Sequence, residues 1–139
     1  MIVCKDQNPE VFRMMMEIPA ELDVDLRGCE GFYTKTQEGA IAGCVYISPV
    51  DNNNCFIVAC GFKRKWCTRE LVMTVYQRVF KELKCRRVSV IVDASNLPSL
   101  KLCFKLGFKT EGLLRGYGTG TGFLLGLLEN EFILNRFKG

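Results

Sequence analysis

Three consecutive stretches decide the fold: Cys55-Phe-Ile-Val-Ala-Cys-Gly-Phe62, then Thr68-Arg-Glu-Leu-Val-Met-Thr-Val-Tyr-Gln-Arg-Val-Phe-Lys-Glu-Leu83, then Arg87-Val-Ser-Val-Ile-Val-Asp93. The first is a continuous apolar run, which suits a strand covered on both faces. In the second, Leu71, Val72, Val75, Tyr76, Val79, Phe80 and Leu83 recur at i, i+1, i+4, i+5, which predicts a helix with one buried face. Thr68 is its N-cap, and Glu70 places negative charge at the positive end of the helix dipole. A turn at Lys84-Cys85 leads into the third stretch, another buried strand. Strand, helix and strand over so short a span form a βαβ unit, whose two strands run parallel through a right-handed crossover.

Working toward the N-terminus, Gly31 to Lys35 and Ala40 to Ser48 read as the arms of an antiparallel hairpin turned at Gln37-Glu38-Gly39. The Pro49 to Asn54 stretch is a loop by composition. In the other direction, Asn96 caps a second helix with Pro98 in its first turn; Leu97, Leu100, Cys103 and Phe104 share its apolar face, and Gly107 stops it. Phe108 to Arg115 and Phe123 to Leu128 read as final strands joined by a loop, Gly116-Tyr-Gly-Thr-Gly-Thr-Gly122. That glycine-rich stretch lacks the strand before and helix after it that a nucleotide-binding fingerprint requires.

The composition restricts the chemistry. A chain of 139 residues with 48% hydrophobic residues reads as one domain, residues 1–139, with material for one core. Its longest apolar runs fall far short of the roughly 20 residues that span a bilayer. The first ten residues lack a basic segment followed by an apolar one, so the cytoplasm is the expected location. The eight cysteines, Cys4, Cys29, Cys44, Cys55, Cys60, Cys67, Cys85 and Cys103, fall largely in apolar runs and read as small, reduced, mostly buried hydrophobes. There is no histidine. Together with the absence of C-x-x-C spacing, this argues against a metal site. It also removes histidine-assisted nucleophilic catalysis and leaves base chemistry to carboxylates, water or shifted lysines. The net charge of +4, with basic runs at Lys63, Arg64, Lys65, Arg69 and at Lys81, Lys84, Arg86, Arg87, is a small excess for a nucleic-acid face and fits a phosphorylated small ligand.

The string Asn96-Leu-Pro-Ser99-Leu-Lys-Leu-Cys103-Phe-Lys-Leu-Gly107-Phe108-Lys-Thr-Glu111-Gly112-Leu-Leu-Arg115, following that βαβ unit, resembles the GNAT acyl-CoA N-acyltransferases, especially the branch acting on protein N-terminal amines. The resemblance covers about Cys55 to Leu128. It implies an α/β, single-domain GNAT fold: a mixed, mostly antiparallel sheet with a central parallel strand pair and helices on both faces. It also implies that the fourth and fifth strands diverge at their C-terminal ends and that acetyl-CoA is the co-substrate, with pantetheine lying along the fourth strand at Cys60, Gly61 and Phe62 and beside Asn96 and Ser99. Asn96 is equally well explained as a helix cap.

In the family, backbone N–H groups of a Gln/Arg-x-x-Gly-x-Gly/Ala loop hold the coenzyme pyrophosphate; glycines let the anion approach and the helix N-terminus favours its charge. Here the aligned loop is Lys63-Arg64-Lys65-Trp66-Cys67-Thr68, so Trp66 stands for the first glycine and Thr68 for the second small residue. Its bulk either flanks or fills the pyrophosphate space. Lys63-Arg-Lys-Trp66-Cys-Thr-Arg69-Glu70 also resembles a version of the loop found in bacteriophage-encoded GNAT-like proteins. The family's usual tyrosine general acid aligns with Cys103, a thiol that either donates a proton to the departing coenzyme thiolate or packs in the core. Glu30, Asp51 and Glu111 are the carboxylates considered for a general base.

Three readings follow. The first is N-acetyl transfer from acetyl-CoA to a primary amine, a protein N-terminus or small amine, by direct attack. The second is an inactive GNAT-like binding or virion-associated protein, located in the host cytoplasm or virion. The third, resting on basic runs alone, is a nucleic-acid-binding module.

Overall fold

The computed structural model describes residues 1–5, 11, 30–51, 53–118 and 120–132. Among these residues seven strands form one sheet: β1 Ile2–Cys4, β2 Glu30–Lys35, β3 Ile41–Pro49, β4 Asn54–Gly61, β5 Arg87–Asp93, β6 Lys109–Tyr117 and β7 Gly120–Leu128, in the order β1-β2-β3-β4-β5-β7-β6. Helix α1, Arg69–Tyr76, joins β4 to β5, and α2, Leu97–Leu106, joins β5 to β6.

The expected parallel pair is β4 with β5, and its extent matters. They pair only at Asn54↔Arg87, Cys55↔Val88 and Phe56↔Ser89. Beyond that, β4 follows β3 in antiparallel register to Gly61, and β5 follows β7 to Asp93. The sheet is therefore two antiparallel halves joined by a short seam, and the strands part toward their C-terminal ends.

Side-chain alternation divides the faces. Val45, Ile47, Cys55, Val88, Val90, Val92, Leu125 and Leu127 share one face with Leu71, Val79 and Phe80 of the α1 segment and Leu100 of α2. On the other face Tyr33, Cys44 and Tyr46 pack with Val11, a helical residue that is fully buried. A helical residue thus meets this second face as well.

Several local expectations need correction. The expected Thr68–Leu83 helix is α-helical only through Tyr76, and Gln77–Glu82 widens into π-helical turns with Leu83 N–H donating to the Arg78 carbonyl. Thr68 is the N-cap, its Oγ1 accepting from Leu71 N–H at 3.1 Å. On α2, Leu100 is buried and Cys103 half-buried, whereas Leu97 and Phe104 are 59% and 47% exposed. Nearly every residue of α2 from Leu100 to Leu106 is apolar or lysine, so spacing alone does not set which side turns inward.

The Gly116–Gly122 stretch is mostly strand rather than loop: β6 runs to Tyr117 and β7 begins at Gly120. Gly116 and Gly118 adopt positive φ of 69° and 57° at the tip. The Tyr117 ring lies on Gly122, 2.7 Å from where a Cβ would stand, so an aromatic covers a strand glycine that has no side chain of its own.

Seven described cysteines are free; Cys44, Cys55 and Cys85 are buried and Cys4, Cys60, Cys67 and Cys103 half-buried, while Cys29 lies outside the described residues. No helix among the described residues is long and apolar enough to cross a membrane.

Candidate active site

Where β4 and β5 part, a cavity of about 700 Å³ passes through the sheet. Its walls come from both faces: Ile57, Val90 and Val92 on the helix side, and Val58, Ile91 and Tyr46 on the other. Phe62 N–H donates to the Ala42 carbonyl of β3, and alternation then turns Ala59 and Gly61 toward β5. Pairing with β5 ends at Phe56, so the N–H groups of Ala59 and Gly61 face the gap.

Of the residues singled out in the sequence, Cys60, Gly61, Trp66, Cys67, Asn96, Ser99 and Cys103 line this cavity. Phe62 instead packs beside Cys44 and Tyr46 on the opposite face, and its N–H and that of Lys63 both donate to the Ala42 carbonyl. Lys63, Arg64, Lys65 and Thr68 form the loop above the cavity rather than its wall. Lys65 has φ 58°, the left-handed conformation, and such a residue turns successive N–H groups to one side, as in anion-binding backbone concavities. Among the described residues, no acceptor meets the N–H of Arg64, Lys65 or Cys67.

Trp66 is held against the sheet. Gly43 and Gly61 face each other across β3 and β4, and the indole covers both; a Cβ at either would overlap it. Thr34, paired with Gly43 and fully buried, donates from Oγ1 to the Trp66 carbonyl at 2.9 Å. Two glycines and a threonine across three strands therefore make a shallow bed for one large ring. The loop's tryptophan is an anchor that ties the loop to the sheet.

Asn96 Oδ1 accepts from Ser99 N–H at 3.3 Å, so it caps α2 while also lining the cavity. Burial pushes the Cys103 thiol up to about 11, and burial with neighbouring Cys103 pushes Cys67 up to about 12. Both stay protonated at neutral pH.

The three carboxylates considered as bases are engaged elsewhere. Glu30 accepts from Arg78 Nε at 2.8 Å, which holds its pKa low; Asp51 accepts the N–H groups of Asn53 and Asn54 at 2.7 and 3.0 Å; Glu111 pairs with Arg87 across Gly126. None lines the cavity. The carboxylate that does is Asp93, at the end of β5, with Tyr117 beside it. Sequence reasoning missed both because it treated Asp93 as a strand terminus and Tyr117 as part of a loop. Ser95 hydrogen bonds hold Asp93 below the usual carboxylate range, and burial together with Asp93 raises the Tyr117 phenol.

Comparison with known proteins adds three findings. The Acetyltransferase (GNAT) family model matches residues 5–108. The SPbeta prophage-derived uncharacterized N-acetyltransferase YokL of Bacillus subtilis (strain 168) is 34% identical over a stretch covering 53% of this chain, and that stretch spans only 45% of the relative. Among solved structures, the spermidine/spermine N-acetyltransferase SpeG from Vibrio cholerae, in complex with manganese ions, superposes with TM-score 0.73 at 12% identity, covering 99% of this chain and 96% of that one. A GNAT family acetyltransferase from Elizabethkingia anophelis with acetyl-CoA bound gives TM-score 0.69 at 16% identity over 91% and 97% of the two chains. At these identities the two structures speak to the fold alone.

Proposed function

This chain belongs to the GNAT acetyltransferase family, and from that premise we propose that it moves an acetyl group from acetyl-CoA to a primary amine by direct attack. The observation that carries the reading is the gap between β4 and β5, roofed by a loop whose backbone donors meet no acceptor among the described residues and lined by the N–H groups of Ala59 and Gly61. Pantetheine would run through the gap, with its phosphates under the Arg64–Cys67 loop and the start of α1, where backbone donors and two cations favour an anion. The Ala59 and Gly61 N–H groups would donate to the oxygen that gains charge as the tetrahedral intermediate forms. Holding amine and thioester together supplies the remaining acceleration as effective concentration. The amine nitrogen forms the new C–N bond and loses a proton, the C–S bond breaks, and the coenzyme thiolate gains a proton, so no external proton is consumed. The inactive-fold reading drew on Trp66, on Cys103 where the family has tyrosine, and on the phage-like loop; an indole lying on the glycine bed leaves the backbone donors of the loop beside it rather than beneath it, which favours the acyltransferase reading on the first of these grounds.

The test is acetyl-CoA binding. At 100 times its dissociation constant the ligand stabilises the native state by about 2.7 kcal/mol, which raises the melting temperature by roughly 5–12 °C for a domain of this size. Arg64→Ala with Lys65→Ala should weaken coenzyme A more than pantetheine, which lacks the phosphates. No shift at millimolar acetyl-CoA in folded protein would end this reading.

Cys103 is poorly matched to the acid role. Proton transfer from a thiol that burial pushes up to about 11 to a coenzyme thiolate of ordinary thiol basicity, about 8.5, runs uphill. Cys103→Ala is therefore expected to leave turnover within about twofold. A tenfold loss at unchanged acetyl-CoA affinity, in steady-state kinetics, would restore it as the acid.

A further inference from the structure

We propose that Asp93, with the phenol ring of Tyr117 as its wall, is an anchoring subsite for an acceptor amine that carries a second positive charge apart from its reacting nitrogen. The proposal builds on the acyl-transfer reading and narrows the acceptor class.

Asp93 is the only carboxylate among the described residues of the cavity wall, and no lysine or arginine lines that wall. Its negative charge therefore faces an apolar space with no cation among the described residues to answer it. Among the described residues the acids that form ion pairs are elsewhere: Glu30 and Glu82 with Arg78, Glu111 with Arg87, Glu129 with Lys81, and Glu131 with Lys109. The Asp93 carboxylate is also aimed. Ser95 donates to Oδ1 twice, from its N–H at 2.9 Å and from its hydroxyl at 2.6 Å, while Oδ2 meets no donor among the described residues. One oxygen is fixed by the protein and the other is left for a ligand.

The register brings the wall into place. Asp93 pairs with Gly122, and the Tyr117 ring occupies the space where a side chain at 122 would stand, so the ring flanks the carboxylate. Val88, Val90 and Val92 face the helices, which puts Asp93 on the opposite face of β5. Coenzyme from the helix side and acceptor from the other would then meet within one gap.

The chemistry excludes two other roles. A carboxylate held below its usual range is too weak a base to take a proton from an alkylammonium, so the cation it binds stays a cation, and the attacking nitrogen must be another one. A single carboxylate is also too small a ligand set for calcium, which takes six to eight oxygens. A diamine or polyamine satisfies both conditions, with one end anchored and the other neutral and reactive.

The test is calorimetric titration of protein saturated with free coenzyme A, so that no reaction intervenes. The probes are 1,4-diaminobutane and 1,4-butanediol, its uncharged counterpart. Parent protein should bind the diamine and not the diol. Asp93→Asn should weaken the diamine on the order of tenfold, between an exposed and a buried charge-assisted hydrogen bond, while Asp93→Glu retains most of the affinity. Half-molar salt should weaken binding to parent and leave the Asn variant unchanged. Phenol absorbance gives a check that needs no ligand: Asp93→Asn should lower the Tyr117 pKa. Parent protein that binds no diamine, equal diamine affinity in parent and Asn variant, or diol binding as tight as diamine, overturns the proposal. Absence of an acetyl-CoA thermal shift overturns the acyltransferase reading instead, and titration of the coenzyme-free protein still reports on Asp93.

Discussion

Trp66→Ala is expected to lower the free energy of unfolding by about 3 kcal/mol and to leave coenzyme A affinity within about threefold. The loss comes from the bed. The indole covers Gly43 and Gly61, and removing it exposes two strand glycines that have no side chains to close the space. It also frees the loop from its anchor, leaving the Thr34 hydroxyl bond to the residue 66 carbonyl and the Lys63 N–H bond to the Ala42 carbonyl as ties to the sheet. The figure lies at the low end for emptying a tryptophan site because the ring is half-buried and reaches the cavity. Urea unfolding with an unchanged m-value measures the stability change, and calorimetry the affinity. Coenzyme binding that strengthens tenfold in the variant would mean that the ring stands in the path of the phosphates after all.

The second large effect runs the other way through the same contact. Gly61→Val places a branched side chain inside the indole, and overpacking of this severity is expected to cost about 3 kcal/mol. The ring has one direction to move, off the sheet and into the loop above the cavity, so coenzyme affinity should fall with stability. In the Trp66→Ala background the valine finds the space empty and should cost under about 1 kcal/mol, giving a coupling near 2 kcal/mol in a double-mutant cycle. Additive losses would show that the glycine serves its backbone conformation rather than the ring.

The βαβ unit, the hairpin of β2 and β3 and the caps at Thr68, Asn96 and Gly107 were legible because each depends on local pattern: an apolar run, a helical period, a hydroxyl or amide oxygen before a helix, a glycine after it. Gly107 does close α2 with a φ of 108°. The bed under Trp66 was not legible, since Gly43 and Gly61 are 18 positions apart and become neighbours only through the register of two strands. The parting of β4 and β5 was legible only through the family resemblance. Asp93 was missed for a related reason: an acid at a strand end looks like any solvated terminus until the neighbouring strand leaves. The reach of β6 and β7 into the glycine stretch was hidden by composition, because glycine argues for a loop and the aromatic cover that permits strand comes from Tyr117 folding back over Gly122. The inward side of α2 was ambiguous for want of polar contrast.

The short seam between β4 and β5 also governs how the molecule would come apart. Each half keeps its own antiparallel ladder when three parallel pairs and their helical cover give way, so the least costly opening that destroys the site is a partial unfolding event rather than a global one. A ligand bridging the two halves adds its binding free energy to that joint, while the hairpins continue to report their own protection. In a hydrogen-exchange map the coenzyme would redistribute stability along the chain, slowing the amides on either side of the gap most and those of β1 and β6 least.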